Sequence, residues 1–166
     1  FPIGFGSSGP LNSQGIGIFA ADQAQFALTI GNIRAPDLVA GVIPHAIAFM
    51  LPCANNYRDS GRGEYPAGPG SDQLCKAPGV QPYYGMRLQL AMTDEQIAAL
   101  AAPDYVKTIF TALAHYGAYV SDTGNGDEGD GELALRVESG LTYTQIGLPD
   151  PWAALAERNG IRVWGD

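Results

Sequence analysis

Apolar and polar positions alternate with period two in several short stretches, and recur at helical spacing in a few longer ones. The clearest strand pattern covers 42–51, where His45, Ile47, Phe49 and Leu51 share one face and Ala46, Ala48 and Met50 the other. A second covers 85–92, with Met86, Leu88, Leu90 and Met92 opposed to Arg87, Gln89 and Ala91. Shorter apolar segments at 16–20, 26–30, 118–121, 132–137 and 161–164 read as further strands. Residues 104–116 carry the strongest helical stripe, formed by Tyr105, Val106, Ile109, Phe110 and Leu113. Asp104, Lys107, Thr108, Thr111 and His115 lie opposite it, and Gly117 is placed to end the helix.

Three shorter helices have local start and stop signals. Pro36 and Gly41 bracket one at 35–40. Thr93-Asp94-Glu95-Gln96 has the capping-box form and opens another, running to about 101. Asp150-Pro151-Trp152 opens the third, and Asn159-Gly160 stops it. Strands outnumber helical turns, which predicts a β-rich α+β fold. The expected architecture is a β-sandwich or jelly-roll-like core with several short peripheral helices.

Composition sharpens this picture. With 166 residues the chain is expected to form one domain over 1–166, its Gly/Ser/Pro-rich residues 1–15 an extended N-terminal arm. The 22 glycines and 12 prolines predict many turns. Nine Lys and Arg stand against 17 Asp and Glu, a net charge of -8. That balance argues against nucleic acid and against anionic lipid as partners. No stretch approaches the ~18 apolar residues of a membrane span, and the longest apolar run is broken by Pro44 and His45. The chain begins at Phe1, as a processed product or an excised fragment would.

Cys53 and Cys75 flank a segment dense in turn formers, from Asn55-Asn56 through Pro66-Ala67-Gly68-Pro69-Gly70. A disulfide closing these roughly 23 residues would stabilise the fold by about 3 kcal/mol on a chain-entropy basis. Two separate buried thiols are the alternative. Zinc is disfavoured, because neither histidine lies at ligand spacing from either cysteine. A disulfide in a loop-rich acidic chain points to an exported, extracellular protein.

Three segments together resemble a family of exported bacterial proteins. They are Gly31-Asn32-Ile33-Arg34 followed by Asp37 to Phe49 with its Pro44-His45-Ala46-Ile47-Ala48-Phe49, then Gly85-Met86-Arg87-Leu88-Gln89-Leu90, then Ile109 through Tyr116-Gly117-Ala118-Tyr119-Val120-Ser121-Asp122. The family's corresponding motifs are a strand of the form H-A-L-x-F, a strand G-x-R-x-R-L-K-A, and a helix-to-strand segment Y-G-M-x-x-A-D-N-G. The likeness covers about residues 31–124, in the same order. Where the family has D-N-G this chain has Asp122-Thr123-Gly124, and the family's upstream D-x-H strand has no counterpart, since no histidine precedes Gly31. The resemblance implies secretion and a shared fold, without a defined reaction.

Four groups of residues offer chemistry. His45 is either a hydrogen-bonded imidazole at the end of a core strand or a general base or metal ligand. In the second case the matched segments nominate Asp122 as its partner. His115, on the polar face of the last turn of its helix, is expected to be solvated. Residues 122–132 hold five carboxylates among glycines, and Asp127 and Asp130 head a candidate calcium site. The EF-hand order is not met, and a solvated hairpin loop is the alternative. Tyr57, Tyr65, Tyr83 and Tyr84 lie in or beside the cysteine-flanked loop, interleaved with Arg58, Asp59, Arg62 and Glu64. Flat rings beside hydrogen-bonding groups suit sugars, and pinning the loop to the core is the competing role. No Ser-His-Asp order, cysteine nucleophile, P-loop or dinucleotide fingerprint is present.

The sequence therefore predicts an exported domain that binds carbohydrate or another cell-surface polymer, with calcium a possible cofactor. A polysaccharide-acting hydrolase or lyase using His45 and Asp122 is one alternative. A structural protein that assembles by self-association is another.

Overall fold

The computed structural model describes residues 29–54, 82–123 and 133–160, together with Asp22, Ala24, Phe26, Tyr65 and Ala67. Four strands, β1 (Ile47–Leu51), β2 (Arg87–Leu88), β3 (Ala118–Thr123) and β4 (Ala134–Leu135), form one mixed sheet in the order β2-β3-β1-β4. β1 and β3 are parallel, while β2 and β4 run antiparallel to them along the two edges. Five helices accompany the sheet: α1 (Ala35–Ala40), α2 (Asp94–Ala98), α3 (Asp104–His115), α4 (Leu141–Thr144) and α5 (Pro151–Asn159). The fold class is α+β. A sandwich or jelly roll needs a second sheet, and none is formed by the described residues.

The parallel pair departs from the antiparallel sheets of the expected sandwich or jelly roll. Parallel neighbours need a long crossover, and here β2, α2 and α3 lie between β1 and β3 in the chain. A central strand in such a sheet is covered on both faces. Ile47, Ala48 and Phe49 are accordingly all buried, although their alternation predicts one buried face. The predicted strand at 42–51 is shortened from its start. Val42 N–H donates to the Asp37 carbonyl at 3.0 Å and finishes α1, and Pro44 has no N–H for a ladder. The predicted strand at 85–92 is a regular strand over Arg87–Leu88, Gly85 N–H and the Met86 carbonyl also bond Val120 of β3, and Leu90 N–H turns away to the Leu113 carbonyl at 3.1 Å. Within the predicted strand at 26–30, Phe26 is a core residue and 29–31 form a turn. The predicted strands at 16–20 and 161–164 and the N-terminal arm lie outside the described residues.

The register of β1 against β3 shifts between Phe49, opposite Val120, and Met50, opposite Asp122. Ser121 is the extra residue. Its buried hydroxyl donates to the Phe49 carbonyl at 3.0 Å, satisfying an acceptor beside the interrupted ladder. Its own carbonyl accepts Ala24 N–H at 2.9 Å. A one-residue shift also moves every later side chain to the other face. Asp122 thus joins the face of Met50 and Ala48, and Arg136, whose N–H donates to the Ala48 carbonyl at 3.2 Å, continues that face on the neighbouring strand.

The helices follow their local signals. Both halves of the α2 capping box form, with Thr93 N–H to Gln96 Oε1 at 2.9 Å and Gln96 N–H to Thr93 Oγ1 at 3.3 Å. Asp150 caps α5 by accepting Trp152 N–H at 2.9 Å. α1 is capped from a distance: Glu138 Oε1 accepts Ala35 N–H at 3.0 Å, because Arg34 at the N-cap offers no acceptor. α3 is rotated from its predicted stripe, burying Thr108, Ala112 and Ala114 most deeply. Small side chains allow close approach, and the Thr108 hydroxyl is satisfied by donating to the Asp104 carbonyl at 3.0 Å. Ile33, Leu38, Ile47, Phe49, Val120 and Leu155 belong to one continuous core.

Gly117 joins α3 to β3 at φ +74°, and a Cβ there would come within 2.6 Å of the Leu88 carbonyl oxygen. Gly41 has the same φ with nothing within 4 Å. Gly41→Ala should therefore cost about 1 kcal/mol, the left-handed backbone penalty alone. Gly117→Ala should cost about 2–4 kcal/mol, since backbone must also move. Urea unfolding would register both as lowered midpoints at unchanged slope. Equal losses would contradict the close packing of Gly117 on β2.

Candidate functional site

Two polar assemblies sit at opposite ends of β1. At its amino end, His45 Nδ1 lies 3.0 Å from the Ala46 carbonyl and therefore carries a hydrogen there. Its Nε2 is 3.6 Å from Asp37 Oδ2, outside hydrogen-bond reach but within ionic range. Arg34 grips the same carboxylate with two bonds, Nε at 2.8 Å and Nη2 at 2.9 Å. This pair holds the guanidinium above its ordinary range. Beside it Tyr143 donates to Glu138 Oε1 at 2.5 Å. Burial first, and then the bond to Glu138, push the Tyr143 hydroxyl up to about 12. Every strong contact in this assembly fixes the start of α1. His45, with its side chain 31% exposed, is held by backbone and by a helix residue.

At the carboxyl end, Arg136 connects two carboxylates. Its Nη1 is 2.8 Å from Asp22 Oδ2 and its Nη2 3.5 Å from Asp122 Oδ2. Asp22 also accepts Phe26 N–H at 2.8 Å, and Phe26 packs edge-to-face on Tyr119, with ring centroids 6.3 Å apart. The Asp22 side chain is 0% exposed. Burial raises its carboxyl to about 7, despite the opposing pull of Arg136 and Phe26 N–H, with Asp122 adding to the rise. A carboxyl poised near neutrality is often catalytic. This one is sealed from any substrate, and it anchors the segment that crosses the bulge.

His45 and Asp122 are not brought together. His45 precedes Ile47, which lies opposite Ala118 at the start of β3, whereas Asp122 lies opposite Met50 near its exit. The intervening strand alone spans about 10 Å. The partner of His45 is Asp37, and that of Asp122 is Arg136. Among the tyrosines, Tyr84 is 0% exposed and belongs to the core, which removes it as a ligand-stacking ring. Tyr83 is half-buried, and Tyr65 stands 81% exposed. Tyr57, Cys75, Asp127 and Asp130 lie outside the described residues. Cys53 is buried just past the end of β1 and is not a free cysteine. No group of three metal-ligating side chains occurs among the described residues, and none of the described helices is long and apolar enough to cross a membrane. His115 is exposed as expected, and its Nε2 meets Asp94 Oδ1 at 2.8 Å.

Sequence reasoning missed Asp22, Asp37 and Arg136. Two of them carried a signal. Asp22 is the sole charged residue before Arg34, and Arg136 the sole cation between Lys107 and Arg158. Isolated charges in apolar surroundings tend to find each other. The chain matches no family model, no curated protein and no solved structure.

Because burial raises the Asp22 carboxyl, the folded protein holds its proton more tightly than the unfolded chain. The stability this contributes is complete below about pH 4 and is lost as pH rises to about 7. Asp22→Asn, which resembles the protonated form, should match wild type at pH 4 and become the more stable of the two by pH 8. Denaturant titrations of both proteins across this range check it. A stability difference independent of pH would contradict a buried, protonatable Asp22.

Proposed function

We propose that the protein is an exported domain that binds carbohydrate or a related extracellular polymer at the carboxyl edge of β1 and β3. One observation carries the reading. The parallel register sets Leu51 opposite Thr123, so the chain leaves the sheet at two adjacent points, one followed in sequence by the cysteine-flanked segment with its tyrosines and the other by the acidic segment with Asp127 and Asp130. Ligands of open sheets with parallel strands settle outside the carboxyl ends of those strands. Tyr65 supports the reading as an exposed ring in the first segment. Flat apolar rings stack on sugar C–H faces, and the carboxylates and arginines close to Tyr65 in sequence, Asp59, Glu64, Arg58 and Arg62, are side chains that can pair with hydroxyls. A Cys53–Cys75 disulfide, consistent with Cys53 not being free, suits an extracellular setting and would tether the aromatic segment to the sheet edge. Asp127 and Asp130 offer the hard oxygen ligands that calcium takes.

Retention on insoluble chitin, cellulose and peptidoglycan, measured with calcium and with chelator, tests the proposal. We expect retention on at least one, weakened about tenfold by Tyr65→Ala, the equivalent of about 1.4 kcal/mol. No retention on any of the three, or retention indifferent to Tyr65, would overturn it.

A further inference from the structure

Away from the carboxyl edge, α1, α3 and α5 border a cavity of about 400 Å³, walled by Leu38, Ile109 and Leu155 and by the rings of Tyr105 and Trp152. That volume lies within the roughly 300–1,000 Å³ of small-molecule sites. A single carboxylate, Asp150, reaches the wall. Its place is built into the fold. One oxygen accepts Trp152 N–H at 2.9 Å as the cap of α5. The group also rests directly over Gly140, where any Cβ would overlap it. Gly140 has ordinary helical dihedrals, φ -58° and ψ -26°, so it is the space, not the backbone angle, that calls for glycine. No ion pair engages Asp150 among the described residues. The Trp152 indole N–H is buried without a partner and closed even to a water-sized group, which leaves the carboxylate as the polar handle of the cavity.

We infer that this cavity binds a small apolar or aromatic amine, with its ammonium against Asp150 and its carbon skeleton among Tyr105, Ile109 and Trp152. The lining selects that chemistry by elimination. A neutral apolar occupant would strip water from Asp150 and leave its charge uncompensated. An anionic occupant would meet a like charge in a low-dielectric pocket. A cation neutralises the carboxylate and is attracted to the faces of adjoining aromatic rings.

Three probes of one skeleton separate these cases: 2-phenylethylamine, 2-phenylethanol and phenylacetate, titrated by NMR with the indole resonances as reporters. The amine should bind saturably and about tenfold tighter than the alcohol, and phenylacetate should not bind. Asp150→Asn keeps an efficient N-cap, so the variant retains its fold while the preference for amine over alcohol disappears. Failure of the amine to bind would overturn the inference. So would equal affinity for amine and alcohol in the wild type, or a preference that survives in Asp150→Asn.

Discussion

The parallel pairing of β1 with β3, interrupted at Ser121, is the constraint from which the remaining described structure follows. Parallel strands cannot be joined by a tight turn, so the chain between them has to travel, and it does so through β2, α2 and α3. The Gly31 turn lies against Ala48, while Ile47 and Phe49 share a core with Ala112 of α3 and Leu155 of α5, and together these account for the burial of all three residues in succession. At the irregularity the Phe49 carbonyl is claimed by the Ser121 hydroxyl and the Ser121 carbonyl by Ala24. Two buried acceptors are thereby satisfied, where an unsatisfied one would cost about 1–3 kcal/mol. The shift of face that accompanies it carries Asp122 to Arg136.

The two ends of the sheet are then held by different electrostatics. At the amino end a half-exposed Arg34 and the shielded Asp37 make a forked pair beside His45, and Glu138 closes the start of α1 from a distant part of the chain. At the carboxyl end a fully buried carboxyl is tied to an arginine and a backbone amide. Removing Arg136 would leave Asp22 uncompensated, so the arginine resists substitution for reasons of folding, whereas burial works against the charge of Asp22 itself. The contacts of His45 belong to α1 and to its own backbone.

Local signals in the sequence were good guides to local structure. Pro36 and Gly41, the Thr93–Gln96 box, Gly117, and Asp150 with Gly160 each mark a helix boundary that the structure has. Their physics involves residues within one turn of each other, which a linear reading sees. Strand order was not legible, because alternation says which residues share a face but not which strand lies alongside. Hence a sandwich was expected where the described residues form one mixed sheet. The candidate sites suffered for the same reason. Asp22 and Arg136 are 114 residues apart, and nothing local announces their meeting. Tyr84, grouped with the loop tyrosines by proximity in sequence, lies buried within the turn that Tyr83 begins.

Asp22, Ala24, Phe26 and β4 are tied through the Ser121 irregularity and Arg136 into the same cooperative unit as the central strands. Residue-resolved native-state hydrogen exchange tests this most directly. The amides of Ile47 and Val120, bonded to the Gly117 and Met86 carbonyls, report on the central pair, and those of Ala24 and Arg136, bonded to Ser121 and Ala48, report on the tie. All four are predicted to exchange at the slow rate set by global unfolding. Exchange of Ala24 and Arg136 at rates typical of exposed loops, with Ile47 and Val120 still protected, would contradict it.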